Sequence, residues 1–334
     1  MTRVRPLLAW GGLSALLLAL AALSLCLGKM PVSAKELGQY ALGGLDPRRE
    51  ATLSNLLWAI RGPRILAALA AGAALAASGS AYQALLVNPL VSPGILGVLA
   101  GASFGAALGL LWSWSLAGVQ GLAFGFGLAA AGLAVLLSLF QGEKAVMSIV
   151  LGGVISGALF SALVSLVKYV ADPYNQLPSI VFFLMGSLAL VDGRTTALAC
   201  LPMLAAVCGL LLLARPLDAM TMGDDEAASL GVRVGQVRGG VIALATLASA
   251  LTVVVGGVIG WVGLIAPHLA RRLVGPSMTR LLPASALVGA AYLLAMDTLA
   301  RTAFPVEAPV GILTALCGIP CFVLLLRARR GNFA

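Results

Sequence analysis

The histidine and cysteine residues that could do metal or redox chemistry are few in this sequence. His268 is the single histidine among 334 residues, and all five cysteines lie inside apolar segments. Cys317 and Cys321 are four residues apart and would share one face of a helix, but no carboxylate or histidine accompanies them on that segment. A zinc site needs several such ligands together. We therefore predict no metal site and interpret the cysteine pair as small packing residues.

The sequence also lacks the loop that binds the phosphates of ATP. No Gly-x4-Gly-Lys-Ser/Thr motif surrounds any of its lysines, which are Lys29, Lys35, Lys144 and Lys168. That loop is the signature of P-loop ATPases. We therefore predict that the chain is not an enzyme and binds no cofactor of its own.

Asp297 and Arg301 are a pair of opposite charges within an apolar part of the chain. Acidic residues within membrane segments often have a functional role, for example in relaying protons. A spacing of four residues also places the two side chains on one helical face. We favour a structural ion pair near the end of a helix, and a proton relay stays open as the alternative.

The composition indicates that membrane helices must position these residues. The chain is 60% hydrophobic and 10% charged, and its mean hydropathy is +1.04. Soluble domains carry about 25% charged residues, which this sequence could not supply to a water-facing surface. Apolar stretches of about 20 residues, the length of a spanning helix, recur along the chain. The alternation typical of a β-barrel is absent, so an all-α polytopic transmembrane fold is predicted.

About ten membrane segments are predicted in one domain that covers residues 1–334. They lie at roughly 6–28, 61–86, 94–112, 116–140, 145–171, 193–214, 238–258, 260–272, 281–301 and 309–327. The eighth is too short to span upright, and the glycines and proline around it predict a tilted or broken helix.

An even number of spans places both termini on one side of the membrane. Arg271, Arg272 and the basic residues at 327–330 lie beside apolar spans, which favours a cytoplasmic location for them and for the termini. The segment 29–60 would then be extracytoplasmic and the segment 215–238 cytoplasmic. The basic residues are scattered through short loops, which does not favour a nucleic-acid partner.

The cytoplasmic segment 215–238 contains the pattern of a short helix. Gly223-Asp224-Asp225-Glu226 predicts a helix start with acids at the positive end of its dipole, and Leu230-Gly231 predicts its end. Residues 232–238 could form a second short turn. Two short helices on this face would suit a docked partner, and an ordinary solvated loop is the alternative.

Four stretches of the sequence carry a family pattern when they are taken together and in order. The first holds Arg61-Gly62-Pro63-Arg64, Gly72, Ser78-Gly79, Gln83, Asn88-Pro89-Leu90, Pro93-Gly94, Gly97 and Gly101-Ala102; the second is Asp225-Glu226-Ala227-Ala228-Ser229-Leu230-Gly231-Val232; the third runs from Gly260 to His268 with Arg271; and the last holds Leu282-Pro283, Gly289, Asp297, Arg301, Glu307-Ala308-Pro309, Gly311 and Gly318-Ile319-Pro320. Over residues 61–322 this pattern resembles the permease subunits of FecCD-type ABC importers, which carry ferric siderophores, haem or cobalamin.

The resemblance implies a type II importer permease with partners on both sides of the inner membrane of a bacterium or archaeon. A second permease copy, giving a homodimer, would enclose the pathway within membrane lipid. Two ATPase subunits would use ATP and Mg below it, and a periplasmic or lipid-anchored binding protein would deliver cargo above it. An iron-siderophore or related metal chelate is the first expected cargo, and haem, cobalamin and molybdate stay open. The alternative of another class is a secondary transporter driven by an ion gradient.

The resemblance also assigns roles to residues at the two ends of the helices. Arg61, Arg64 and Arg301 match arginines that dock carboxylates of the binding protein; the alternatives are headgroup anchoring for the first two and pairing with Asp297 for the third. The segment expected to couple to the ATPase contains Asp224, Asp225, Glu226, Ala228, Leu230, Gly231 and Val232.

Residues of the gate and pathway are implied with plain packing as the alternative for each. Asn88 and Pro89 are expected in a turn where a span meets the cytoplasm. Pro267 and His268 are expected to end a broken helix near the cytoplasmic gate. The segment 172–190 resembles a short gate helix, in which Phe182, Phe183 and Met185 would line the pathway.

Overall fold

The structure, a computed structural model, describes residues 4–140 and 146–330, and all regular elements in these ranges are helical. The α-helices are α1 (Val4–Cys26), α2 (Ala34–Ala41), α3 (Pro47–Ser54), α4 (Gly62–Leu85), α5 (Val98–Leu111), α6 (Leu116–Phe140), α7 (Val146–Val170), α8 (Gln176–Leu184), α9 (Gly193–Leu212), α10 (Ala214–Met220), α11 (Asp224–Ser229), α12 (Val234–Gly256), α13 (Val262–Val274), α14 (Met278–Thr302) and α15 (Val310–Arg330). A π-helix covers Asn55–Arg61, and a 3-10 turn covers Pro93–Leu96. Lys144 and the predicted segment start at 145 lie outside the described residues.

Each of the ten predicted segments overlaps one of these helices, so the all-α membrane fold is confirmed. Within the described residues, seven helical runs are long and apolar enough to cross a membrane: α1, the continuous run Pro47–Leu85, α6, α7, α9, α12 and α14. The helices α5 and α15 supply shorter apolar stretches. The eighth segment forms α13, which has 13 residues and is short, as predicted.

The helix α4 lies at the centre of the fold. In the most apolar 18 residues of the run Pro47–Leu85, 83% of the residues are buried, whereas in Ala9–Cys26 of α1 only 11% are buried. Gly72 of α4 meets the backbone of α14 at Gly289, and Gly79 meets the backbone of α13 at Gly263. A Cβ atom at either position would overlap the facing backbone, so these glycines allow the helices to cross closely.

The helix that contains Arg61 and Arg64 begins earlier than the sequence predicts. Asp46 accepts a hydrogen bond from the N–H of Arg48 (3.3 Å) and begins α3, with Pro47 in its first turn. The chain continues through the π-helix into α4 without leaving the helical path. Much of the predicted extracytoplasmic segment 29–60 is therefore helical.

The helix end predicted at Pro267 and His268 is wrong, because Pro267 lies buried inside α13, which continues to Val274. The boundary predicted between residues 258 and 260 is confirmed: the chain breaks between α12 and α13, where Gly257 and Trp261 adopt φ values of +67° and +68°. Glycine reaches such a φ at little cost, and the carbonyl of Gly256 accepts a hydrogen bond from Ser187 N–H (2.8 Å). The proline removes one backbone bond and leaves α13 continuous.

The second short cytoplasmic helix lies on the other side of α11 from the predicted position. It is α10, before α11, whereas the residues from Val234 onward form the first turn of the long helix α12. Local sequence could not separate a short turn from the start of a long helix, because both begin with the same backbone conformation.

Candidate functional site

Five charged residues from distant parts of the chain meet at the end of the bundle that the predicted topology places outside, here called the outer end. This outer charge cluster consists of Arg61, Arg64, Asp297, Arg301 and Glu307. Arg61 ends the π-helix and Arg64 lies in the first turn of α4, while Asp297 and Arg301 lie in the last two turns of α14. Glu307 lies in the segment between α14 and α15.

Asp297 is the centre of this cluster. Its Oδ1 accepts a hydrogen bond from Arg64 Nε (2.9 Å), and its Oδ2 lies 3.3 Å from Arg301 Nε. The predicted ion pair between Asp297 and Arg301 is therefore confirmed, and Arg64 joins it. Arg64 also donates from Nη1 to Glu307 Oε2 (2.9 Å), so one guanidinium holds two carboxylates.

The other two arginines hold the end of α1. Arg61 donates to the carbonyl oxygens of Leu25 and Cys26, and at 2.5 Å to that of Met30. Arg301 donates to Ser24 Oγ at 2.6 Å. The last carbonyls of a helix lack partners within it and carry partial negative charge, so guanidinium groups stabilise them.

The three arginines are thus buried and engaged rather than extended from the surface. The exposed fractions of Arg61, Arg64 and Arg301 are 3%, 6% and 5%. The structure therefore favours the alternative that Arg301 pairs with Asp297, and it does not place Arg61 or Arg64 at exposed headgroups. Docking of a binding protein stays a prediction, and a docked carboxylate would have to reach guanidinium groups that already have partners.

The opposite, inner end carries the predicted coupling segment on its surface. The predicted start at Gly223 and end at Leu230-Gly231 are confirmed, since α11 covers Asp224–Ser229 and Gly231 adopts a φ of +82°. Leu230 is 66% exposed, and Met222 just before the helix is 62% exposed. The other predicted coupling residues are exposed apart from Val232, which is half-buried; they are Asp224, Asp225, Glu226, Ala228 and Gly231.

Two polar contacts join this segment to the membrane helices. Asp218 at the end of α10 accepts hydrogen bonds from Met278 N–H (2.5 Å) and Ser277 Oγ (2.8 Å), and so caps the start of α14. Arg238 of α12 pairs with Asp224 of α11 at 2.6 Å. Sequence reasoning missed Asp218, because its partners lie 59 and 60 residues away along the chain.

The predicted gate helix forms as α8 at the outer end. Phe182 and Phe183 line a cavity of about 530 Å³ between α8, the start of α6 and the end of α12. The carbonyl of Met185 faces Gly311 at the start of α15, where a side chain would not fit. The helix before span six is confirmed, and the place of these residues in a pathway stays a prediction.

The remaining candidate residues have local structural contacts. Asn88 Oδ1 accepts a hydrogen bond from Leu90 N–H (2.9 Å), which confirms the predicted capped turn beside Pro89. The His268 ring lies 2.8 Å from the Leu264 carbonyl and packs edge-on against Phe322. Within residues 4–140 and 146–330, no group of three histidine, cysteine or acidic side chains is placed to hold a metal ion.

Comparison with known proteins gives a consistent result along nearly the whole chain. The model of the FecCD transport family matches residues 16–328. The molybdate import system permease protein MolB of Haemophilus influenzae is 40% identical, over 96% of this chain and 96% of its own. The hemin transport system permease protein HmuU of Yersinia pestis is 36% identical, over 98% of each chain.

The fold also matches a solved structure closely. That structure is an inward-facing conformation of a transporter assigned to the metal-chelate type of ABC transporter. It is 38% identical and superposes with a TM-score of 0.87 over 97% of this chain and 99% of its own.

Proposed function

Since the chain belongs to the FecCD transport family of ABC importer permeases, we propose that it conducts a metal complex across the inner membrane of a bacterium or archaeon. One observation carries this proposal. The chain has no P-loop of its own, yet it holds a short helix, α11, that is exposed at the inner end and paired with α12 through Asp224 and Arg238. The preceding helix, α10, contacts the start of α14 through Asp218. A separate ATPase that docks on α11 would supply the ATP hydrolysis that this chain has no P-loop to perform.

The geometry around α11 supports a mechanical role for it. Leu230 and Met222 present apolar side chains to the solvent on either side of the acidic first turn. Apolar anchors of this kind dominate the energy of protein interfaces. A displacement of α11 by the ATPase would act on α12 through Arg238 and, by way of α10 and Asp218, on α14. Hydrolysis would in this way change the spacing of the helices that enclose the pathway.

On the outer side we propose that a periplasmic or lipid-anchored binding protein docks at the outer charge cluster, and that a second copy of the chain completes the pathway. The cluster is close to the outer end of α14, whose inner end is held by Asp218. The helix α14 therefore connects the proposed docking site of the binding protein with the end of the bundle where the ATPase is proposed to dock.

The first cargo we propose is an iron chelate, as the general pattern of the family suggests. A ferric citrate permease of Bacillus subtilis, YfmE, is 37% identical over 97% of this chain. Molybdate is a second candidate, because MolB is 40% identical over 96% of both chains. Phe182 and Phe183 give the proposed gate an apolar lining, which would let either complex pass without tight binding.

Co-purification followed by transport tests this proposal. The tagged chain is isolated with the proteins encoded beside it, and the complex is reconstituted in proteoliposomes with a radiolabelled ferric chelate or radiolabelled molybdate. We expect a P-loop ATPase to co-purify and uptake to require ATP hydrolysis. Uptake by the permease alone, driven by a proton or sodium gradient, would establish the secondary transporter instead. The label that accumulates identifies the cargo.

A further inference from the structure

The outer charge cluster contains more positive than negative charge. It holds three guanidinium groups, on Arg61, Arg64 and Arg301, and two carboxylates, on Asp297 and Glu307. The formal sum is therefore +1 in a region where burial makes unpaired charge costly. This excess attracts a further carboxylate from outside.

The two carboxylates of the cluster differ in how firmly they are held. Asp297 is completely buried in α14 and contacts two arginines. Glu307 keeps 28% of its side chain exposed, lies outside any helix and pairs with Arg64. Glu307 is therefore the carboxylate that can leave while the helices stay in place.

The stretch just before Glu307, residues 302–306, is exposed. Between α14 and α15 it presents Phe304 and Val306 to solvent, with Val306 79% exposed. Around Glu307 its polar contacts include a hydrogen bond from Lys29 Nζ to the Pro305 carbonyl (3.1 Å) and one from Ala308 N–H to the Ala300 carbonyl (3.3 Å), while its two ends are bonded to α14 and α15 through Ala303 and Pro309. Segments with few buried contacts open at low free-energy cost, so Glu307 can swing away from Arg64.

We infer that Glu307 is a built-in carboxylate that occupies Arg64 until an acidic side chain of the docked protein replaces it. The inference rests on the docking role in the proposed function and specifies how that site works. One charge-assisted pair is exchanged for another of the same kind, so the exchange itself contributes little net affinity. Glu307 would thus weaken docking and favour release after delivery, and it would reject surfaces that offer no carboxylate.

Removal of the Glu307 charge tests the exchange directly. The permease and its ATPase are held in nanodiscs, and the affinity for the cognate binding protein is measured by biolayer interferometry. We expect Glu307→Gln to tighten docking at least about threefold, because the arriving carboxylate no longer competes with an internal one. Glu50→Gln is the matched control, since Glu50 is an exposed acid of α3 in the predicted extracytoplasmic segment 29–60. Equal affinities for the two variants, or weaker docking of Glu307→Gln, would overturn the inference.

A second measurement does not depend on any binding protein. Glu307→Ala leaves a space beside Arg64 that acetate can fill, so we expect sodium acetate to raise the unfolding temperature of this variant above its value in sodium chloride of equal ionic strength. Wild type and Glu50→Ala should show no such difference. An acetate effect of equal size in all three proteins would contradict the exchange. If wild type binds no binding protein while acetate still rescues Glu307→Ala, the docking proposal fails and the replaceable carboxylate stands.

Discussion

The two ends of this permease use the same kinds of charged residue in opposite ways. At the outer end, arginines and Asp297 are buried and bind one another or the carbonyls of α1. At the inner end, the acids of α11 face solvent, and Asp224 pairs with Arg238. Burial explains the difference. A charge away from water must be paired inside the protein, whereas an exposed charge is solvated by water and stays available to a binding partner.

This contrast separates the consequences of mutation at the two ends. A change of Asp297 or of the three arginines in the outer charge cluster should first affect the stability of the chain, since these four groups hold α1, α4 and α14 together. A change on the exposed face of α11 should leave the fold intact and affect association. Loss of transport alone would not distinguish these cases, so each variant needs both a stability and a binding measurement.

The largest effect is expected from Asp297→Ala. The substitution leaves Arg64 and Arg301 buried without their shared carboxylate, and breaking a buried pair in this way costs about 3–5 kcal/mol. Unfolding in mixed detergent micelles measures the loss, and Glu50→Ala provides the exposed control. A variant as stable as this control would show that the cluster does not hold α14, α4 and α1 together.

The next effect is expected from Leu230→Glu at the inner end. A charge in place of an exposed apolar anchor should weaken binding of the ATPase by about 2 kcal/mol or more, as at an interface hot spot. The free energy of unfolding should stay unchanged. Leu42→Glu makes the same change at an exposed site of the predicted outer segment and should leave the ATPase bound. Unaltered ATPase binding by Leu230→Glu would remove α11 from the interface.

A smaller effect is expected from Asp218→Ala, which tests how the inner end is fastened. The substitution removes the acceptors for Met278 N–H and Ser277 Oγ, a loss of about 1–2 kcal/mol for a helix cap. We expect the ATPase to bind still, with less transport per ATP hydrolysed, because motion of α10 no longer acts on α14. An unchanged ratio of transport to hydrolysis would show that force passes through other contacts.

The smallest effect is expected from Arg238→Gln. Arg238 has 14% of its side chain exposed, but its partner Asp224 has 52% exposed and can be solvated by water, so we expect the pair to contribute about 1 kcal/mol, the upper end of the range for exposed pairs. Chemical unfolding at low and high salt measures this contribution, and the difference from wild type should shrink as salt screens the pair. A loss as large as that of Asp297→Ala would contradict the distinction between the two ends.

The features that the sequence predicts correctly depend on the overall composition of the chain or on residues close together in the sequence. Membrane helices follow from the scarcity of charge, and α11 follows from a glycine, three acids and a terminal glycine within nine residues of chain. The pair of Asp297 and Arg301 follows from a spacing of four. In each case the interacting groups lie within one element, so their distance is fixed by the helix itself.

The features that the sequence misses depend on distant partners or on backbone angles. Arg64 meets Glu307 across 243 residues, and Arg301 meets Ser24 across 277. No local pattern reveals such contacts, so the sequence predicts docking or headgroup roles for Arg61 and Arg64, and docking or pairing with Asp297 for Arg301. The boundary near residue 259 follows from local glycines and is confirmed at Gly257 and Trp261. The helix end predicted at Pro267-His268 is wrong, because α13 continues to Val274.

The central claim is that α11 is the surface on which a separate ATPase powers this permease. A photo-activated cross-linking residue at position 230, introduced in cells that carry the complete transport system, tests it most directly. We predict a covalent adduct with a P-loop ATPase from position 230 and none from position 42 on the opposite predicted side. A stable protein that gives no ATPase adduct from position 230, or gives one from position 42, would contradict the account.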